Sequence, residues 1–179
     1  MPELPEWRAF AVEQRRPASG CIPTGYEMLV RAARITDVDL SAFQDDFDLD
    51  KNPRPGDMPR NNFESVAAAV RAKYPHIQFR RLAFPQGRGA DKLAFIESCL
   101  TSTRPVLVSL SLHGAGLGRG WHIMLAIGDT ENEVLLLNKM LPDGKGEVVY
   151  VPKSDLVRIH DQFPGGDDVA FLDEGDTLD

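Results

Sequence analysis

The chain is poor in cysteine: Cys21 and Cys99 are the only two in 179 residues. Two thiols cannot build a disulfide framework. The N-terminus, Met-Pro-Glu-Leu-Pro-Glu-Trp, has neither a positive n-region nor an apolar h-region, so no signal peptide is expected. Both thiols are therefore expected to be reduced, in a cytoplasm. Basic residues are also in deficit, 20 against 27 acidic ones, for a formal net charge of −7. Nucleic acid and anionic membranes both require a cationic face, so neither is expected as a partner. No apolar run approaches the roughly 20 residues of a membrane-spanning helix. The two cysteines and four histidines have no metal-ligand spacing, so no metal and no cofactor is expected. Gly114, Gly116, Gly118 and Gly120 look superficially like a phosphate loop. No Gly-Lys-Ser/Thr follows them and the next segment reads as a strand, which argues against nucleotide binding.

What remains is a chain of ordinary domain size, 42% apolar and 26% charged, able to bury a core without staples. Trp7 to Val12 is a short apolar segment, an edge strand or one helical turn. Ile22, Tyr26, Leu29, Val30 and Ala33 form a stripe of helical period, so a helix is predicted from Cys21 to near Arg34. Residues 37–50 are acidic, with Leu40, Phe43 and Phe47 spaced for one short amphipathic helix. Lys51 to Arg60 holds three prolines and a glycine and reads as a loop. Asn61 and Glu64 suggest a capping box for a helix stopped by Pro75. A strand is predicted within 77–84 and a helix over 91–100. Strands are then expected at 106–112, 121–127, 133–139 and 147–151, joined by hairpin-length connections. Ser154 is expected to cap a last helix through Phe163. Helices lead and an antiparallel sheet follows, so the fold class is α+β. One domain is expected over 1–163, with 164–179 an acidic, flexible tail.

The chemistry centres on Cys21. A thiol at a helix N-terminus meets the positive end of the helix dipole, which favours thiolate. Gln14, seven residues upstream, can fold back as a donor toward a developing oxyanion. Of the four histidines, His76 and His160 read as structural, while His113 and His122 flank the glycine loop. His122 is the better base, because it opens a strand where its backbone is held rigidly. Trp121 and Gly120, just before it, are expected to line the substrate side. With a hairpin centred near Thr130 and Glu131, His122 falls opposite Asn138, whose side chain is expected to orient the ring. Asn138 is the only polar residue in Val-Leu-Leu-Leu-Asn. The bland alternatives are a small core residue for Cys21 and a satisfied amide for Asn138. Cys99, with no comparable neighbours, reads as core or inert surface.

In their order, Gln14, Cys21 at a helix start, Gly120-Trp121-His122 opening an apolar strand, and Leu137-Asn138 ending the next resemble the papain-like cysteine peptidases. They are most similar to the C39 peptidase and C39-like group. The resemblance spans residues 14–139. It implies a papain-like fold with Gln14 as oxyanion donor, Cys21 as nucleophile, His122 as base and Asn138 orienting the base. It also implies a peptide or amide substrate and an acyl-enzyme. Two positions depart from the group's usual pattern: Ile22 follows the cysteine, and Asn138-Lys139 stands where aspartate and proline are usual. Transfer to an amine would use the same residues. A binding module that has lost turnover and a reversible thiol sensor are the non-hydrolytic alternatives.

Overall fold

A computed structural model of the chain describes residues 3–118, 120–163 and 168–173. Its elements are α1 (Trp7–Phe10), α2 (Cys21–Ala32), α3 (Phe43–Phe47), α4 (Phe63–Lys73), β1 (Phe79–Leu82), α5 (Gly89–Thr101), β2 (Leu107–Ser111), β3 (Trp121–Asp129), β4 (Glu133–Met140), β5 (Gly146–Pro152), α6 (Lys153–Gln162) and β6 (Val169–Leu172). The strands form one antiparallel sheet in the order β1-β6-β2-β3-β4-β5. The fold is α+β, as the segregation of helical and strand patterns implies. Among the described residues, no helix is long and apolar enough to cross a membrane.

The helix that starts at Cys21 packs against α1, α3, α4, β3 and β6. Pro23 is its third residue, where the missing N–H would have had no intrahelical acceptor. Gly25 lets the helix approach the sheet closely, since a Cβ there would lie 2.7 Å from Leu107 Cδ1. One residue on, Tyr26 is 1% exposed and stacks on Phe79 with ring centroids 3.8 Å apart. Its hydroxyl donates to the Phe63 carbonyl at 2.7 Å, so the one polar atom of a buried ring is satisfied. These contacts fix the position of the helix start.

Several local expectations shift. The cap of α4 is Asn62, which accepts from Ser65 N–H at 2.8 Å. Asn61 turns away to accept from Leu49 N–H and donate to Ser19 O and Asp48, so tertiary bonds displace the capping box. α6 follows Pro152 without a side-chain cap, and Ser154 lies inside it. The tail expected to be flexible from 164 contains β6, inserted between β1 and β2. Val169, Ala170 and Phe171 are buried there. An apolar tetrapeptide bounded on both sides by aspartate adds a strand to the sheet; the remainder of that tail, 164–167 and 174–179, lies outside the described residues.

Two bulges interrupt the ladders on either side of β4. β3 and β4 pair as Leu125↔Leu137 and Ala126↔Leu136, then as Gly128↔Leu135 and Asp129↔Val134, leaving Ile127 as the extra residue. The Ile127 carbonyl accepts from Leu4 N–H at 2.8 Å. β4 and β5 pair as Leu137↔Val148 and then Lys139↔Glu147, which leaves Asn138 as the extra residue. Bulges of this kind re-aim backbone and side-chain groups.

Candidate active site

Cys21 is the first residue of α2 and is half-buried. Thr24, one turn on, places its hydroxyl 2.6 Å from the Gly20 carbonyl and holds the residue before the thiol. Ser19 donates to Asp48 at 2.7 Å and its carbonyl accepts from Asn61 at 2.8 Å. The loop leading to Cys21 is therefore tied to α3 and to the segment before α4. Upstream, Arg16 pairs with Asp45 at 2.6 Å.

Cys21 lines two openings. On one side is a groove of about 860 Å³, walled by Ile22, Ser109, Trp121, Ile123 and the loop residues Pro53, Met58 and Pro59. This volume lies within the usual range for small-molecule sites. On the other side is a narrow cavity of about 20 Å³ shared with Gln14, Thr24, Ile123 and Asn138. The structure thus brings Cys21, Gln14 and Asn138 to one cavity. The Gln14 amide donates to Arg16 O at 2.7 Å, using one of its two N–H groups and fixing its plane.

His122 and Asn138 are joined, through an atom other than the expected one. His122 Nε2 lies 3.0 Å from the main-chain carbonyl of Asn138. The Asn138 side-chain amide instead donates to Glu147 at 2.9 Å. The physical reason is the register of the hairpin together with one bulge. Asp129 pairs with Val134 and Leu125 with Leu137, which carries His122 past Asn138 along the ladder, and the bulge at Asn138 turns that residue's backbone out of its pairing with β5. A carbonyl can only accept, so Nε2 carries the hydrogen and Nδ1 is left to take a proton. Trp121 and Ile123, the two neighbours of His122 along β3, line the groove with Cys21, while the ring between them reaches toward β4.

Trp121 lines the groove and is 39% exposed. Gly120 is not among the residues lining it. Its φ of 77° closes the β2–β3 connection, and its carbonyl accepts from Leu112 N–H at 2.9 Å. The glycines of this connection therefore serve a turn. His113 is an exposed ring packed edge-on against Phe163. His76 makes a surface contact with Asp37, and His160 is buried beside Pro85 O and Asp168. Cys99 is 2% exposed, and burial pushes its thiol up from the ordinary value.

Some neighbours of the site carry no local sequence signal. Gln44 on α3 and Ser109 on β2 reach it only through the tertiary fold. Met58 was legible as part of a proline-rich loop, but its place on the groove that Cys21 also lines was not.

No protein-family model matches the chain, and no curated protein matches it in sequence. Among solved structures, the fold is similar to a crystal structure from Bacillus anthracis described provisionally as a C39-like peptidase. The likeness covers 92% of this chain and 94% of that one, with a TM-score of 0.57 and 14% sequence identity. It is a likeness of fold. The residues above must carry the chemistry.

Proposed function

We propose that the chain is a cysteine-dependent amide or peptide hydrolase of papain-like fold, related to the C39-like group. The observation that carries this is the position of Cys21: first residue of a helix, on a wall shared by a substrate-sized groove and a cavity holding Gln14 and Asn138. The helix N-terminus favours the thiolate that attack requires.

In this reading His122 takes the Cys21 proton at Nδ1, and the thiolate sulfur bonds the substrate carbonyl carbon. The oxyanion is met by the second Gln14 N–H and by the Cys21 main-chain N–H. Collapse breaks the C–N bond, and the imidazolium gives its proton to the leaving amine. Water then attacks the thioester, passing a proton to His122, and the carboxylic acid leaves as the thiol re-forms. The Asn138 carbonyl holds the ring by accepting from Nε2–H throughout.

A non-catalytic binding module of the same fold is the second reading. It is favoured by the Gln14 amide already bonded to Arg16 O and by the Asn138 amide directed to Glu147. Presteady-state hydrolysis of an activated acyl ester separates the two. The proposal expects a burst equal to the protein concentration, an acyl mass on the peptide carrying Cys21, and loss of both in Cys21→Ala. No burst in the parent, or turnover that survives Cys21→Ala, would overturn it.

A further inference from the structure

We infer that Gln44 is a positioning residue for the oxyanion donor, holding the Gln14 segment in register with the first turn of α2. This rests on the reading of Gln14 given above. Gln44 sits on α3, 3% exposed, between the buried rings of Phe43 and Phe47 in sequence. Its side chain spans from α3 to the irregular segment before Cys21. Oε1 accepts from Arg15 N–H at 2.9 Å, and Nε2 donates to the Glu13 carbonyl at 2.8 Å. The two peptide groups that flank Gln14 are thus held by one amide, much as a neighbouring strand would hold them.

The same amide contacts the nucleophile's helix. Thr24 Oγ1 lies 2.9 Å from Gln44 Oε1 and 2.6 Å from Gly20 O, and its single proton serves one of them at a time. Gln44 Nε2 is also 3.3 Å from Glu27 Oε1 on α2. Two donors and two acceptor positions exhaust what a glutamine offers. They link the backbone on both sides of Gln14 to the turn that begins with Cys21. Next along α3, Asp45 pairs with Arg16 at 2.6 Å and Arg15 at 3.5 Å, so the anchoring of 13–16 converges on this short helix.

A packing glutamine would have no reason to bracket the proposed donor. A donor aimed at an oxyanion depends on placement, because a misplacement of about 1 Å can cost roughly 100-fold in rate. The oxyanion is absent from the bound substrate and develops only on the way to the tetrahedral intermediate, so loosening Gln14 lowers kcat and leaves ground-state binding nearly unchanged.

The test is a double-mutant cycle between Gln44→Met and Gln14→Ala, read in acyl hydrolysis and in iodoacetamide labelling of Cys21. Alkylation passes through no oxyanion and reports whether the nucleophile itself has moved. We expect Gln44→Met to lower kcat about tenfold or more, with KM within about twofold. In the Gln14→Ala background it should add less than about a twofold further loss, the mark of two residues acting as one unit. Cys21 labelling should match the parent in every variant. Gln44→Met leaves buried peptide groups unpaired, so Gln44→Glu, which keeps the acceptor and loses the donor, is run in parallel. Additive losses, or slowed Cys21 labelling in the folded Gln44 variants, would overturn the positioning role while leaving the hydrolase reading intact. Failure of both variants to fold would assign Gln44 to the loop's folding and overturn it likewise. Absence of turnover in the parent would overturn the hydrolase reading and this inference together.

Discussion

The imidazole of His122 is held by the backbone of Asn138, with Nε2 3.0 Å from the carbonyl oxygen, while the Asn138 amide serves Glu147. A main-chain acceptor survives replacement of the side chain that carries it. Asn138→Ala should therefore keep kcat within about fivefold of the parent, since only an interaction with Glu147 at the surface is lost. Asn138→Asp should do no better, because it sets a second carboxylate beside Glu147. A loss beyond about 100-fold in Asn138→Ala would mean that the amide acts on the ring during turnover.

The groove predicts a binding effect separate from chemistry. Met58 and Trp121 are 80% and 39% exposed and lie on the same groove as Cys21. Exposed apolar side chains gathered at one concavity mark a contact surface. Trp121→Ala should raise KM for acyl substrates several-fold, in line with the loss of about 1–2 kcal/mol of apolar burial, with Cys21 alkylation unchanged. Met58→Ala should act in the same sense. An unchanged KM in both variants would place the substrate elsewhere.

Behind the site, Lys92 is 2% exposed, with Nζ 2.9 Å from the Ser109 carbonyl and 3.7 Å from Asp168. Burial lowers its pKa from 10.5 to about 8, against the opposing pull of Asp168. The unfolded chain holds that proton to higher pH than the folded one. Below pH 8 both states are charged and the folded state carries the penalty of a buried ammonium. Between pH 8 and about 10.5 the penalty is relieved, and stability gains on the order of 3 kcal/mol from this group. Urea midpoints of the parent relative to Lys92→Met should rise across pH 8 to 10. A difference that stays flat with pH would contradict this.

Much of the fold was legible because its signals are local. The Cys21 helix announces itself through the stripe Ile22, Tyr26, Leu29 and through Pro23, and it ends within two residues of the expected point. Continuous apolar runs mark β2 and β3, which are buried almost throughout, and short turn-rich connections mark the hairpins that join β3, β4 and β5. What was not legible depends on tertiary competition. Asn61 and Asn62 are equally good caps, and only the bonds Asn61 makes to Ser19 and Asp48 decide between them. Period-two patterning fixes faces, and it does not reveal the residue on which a hairpin is centred or where a bulge consumes one. Hence the pairing of His122 with Asn138 was foreseen as a neighbourhood while the bonding atom was not. Gln44 lies in an acidic amphipathic segment, and nothing in that pattern indicates that its amide reaches Glu13 and Arg15.

The central claim is that Cys21 is a nucleophile activated by the helix start and by His122, and brief iodoacetamide labelling at mildly acidic pH tests it. A free thiol ionises near pH 8.5, so an unactivated cysteine labels slowly there. Cys99 is buried with its thiol pushed up, and provides an internal reference on the same chain. Mass spectrometry of the two cysteine peptides should find Cys21 modified many-fold faster than Cys99, with the Cys21 rate falling in His122→Ala and unchanged in His113→Ala. Because burial alone would shield Cys99, the His122 dependence is the deciding part. A Cys21 rate that is indifferent to His122→Ala would contradict the thiolate–imidazolium pair and leave a binding module of the same fold.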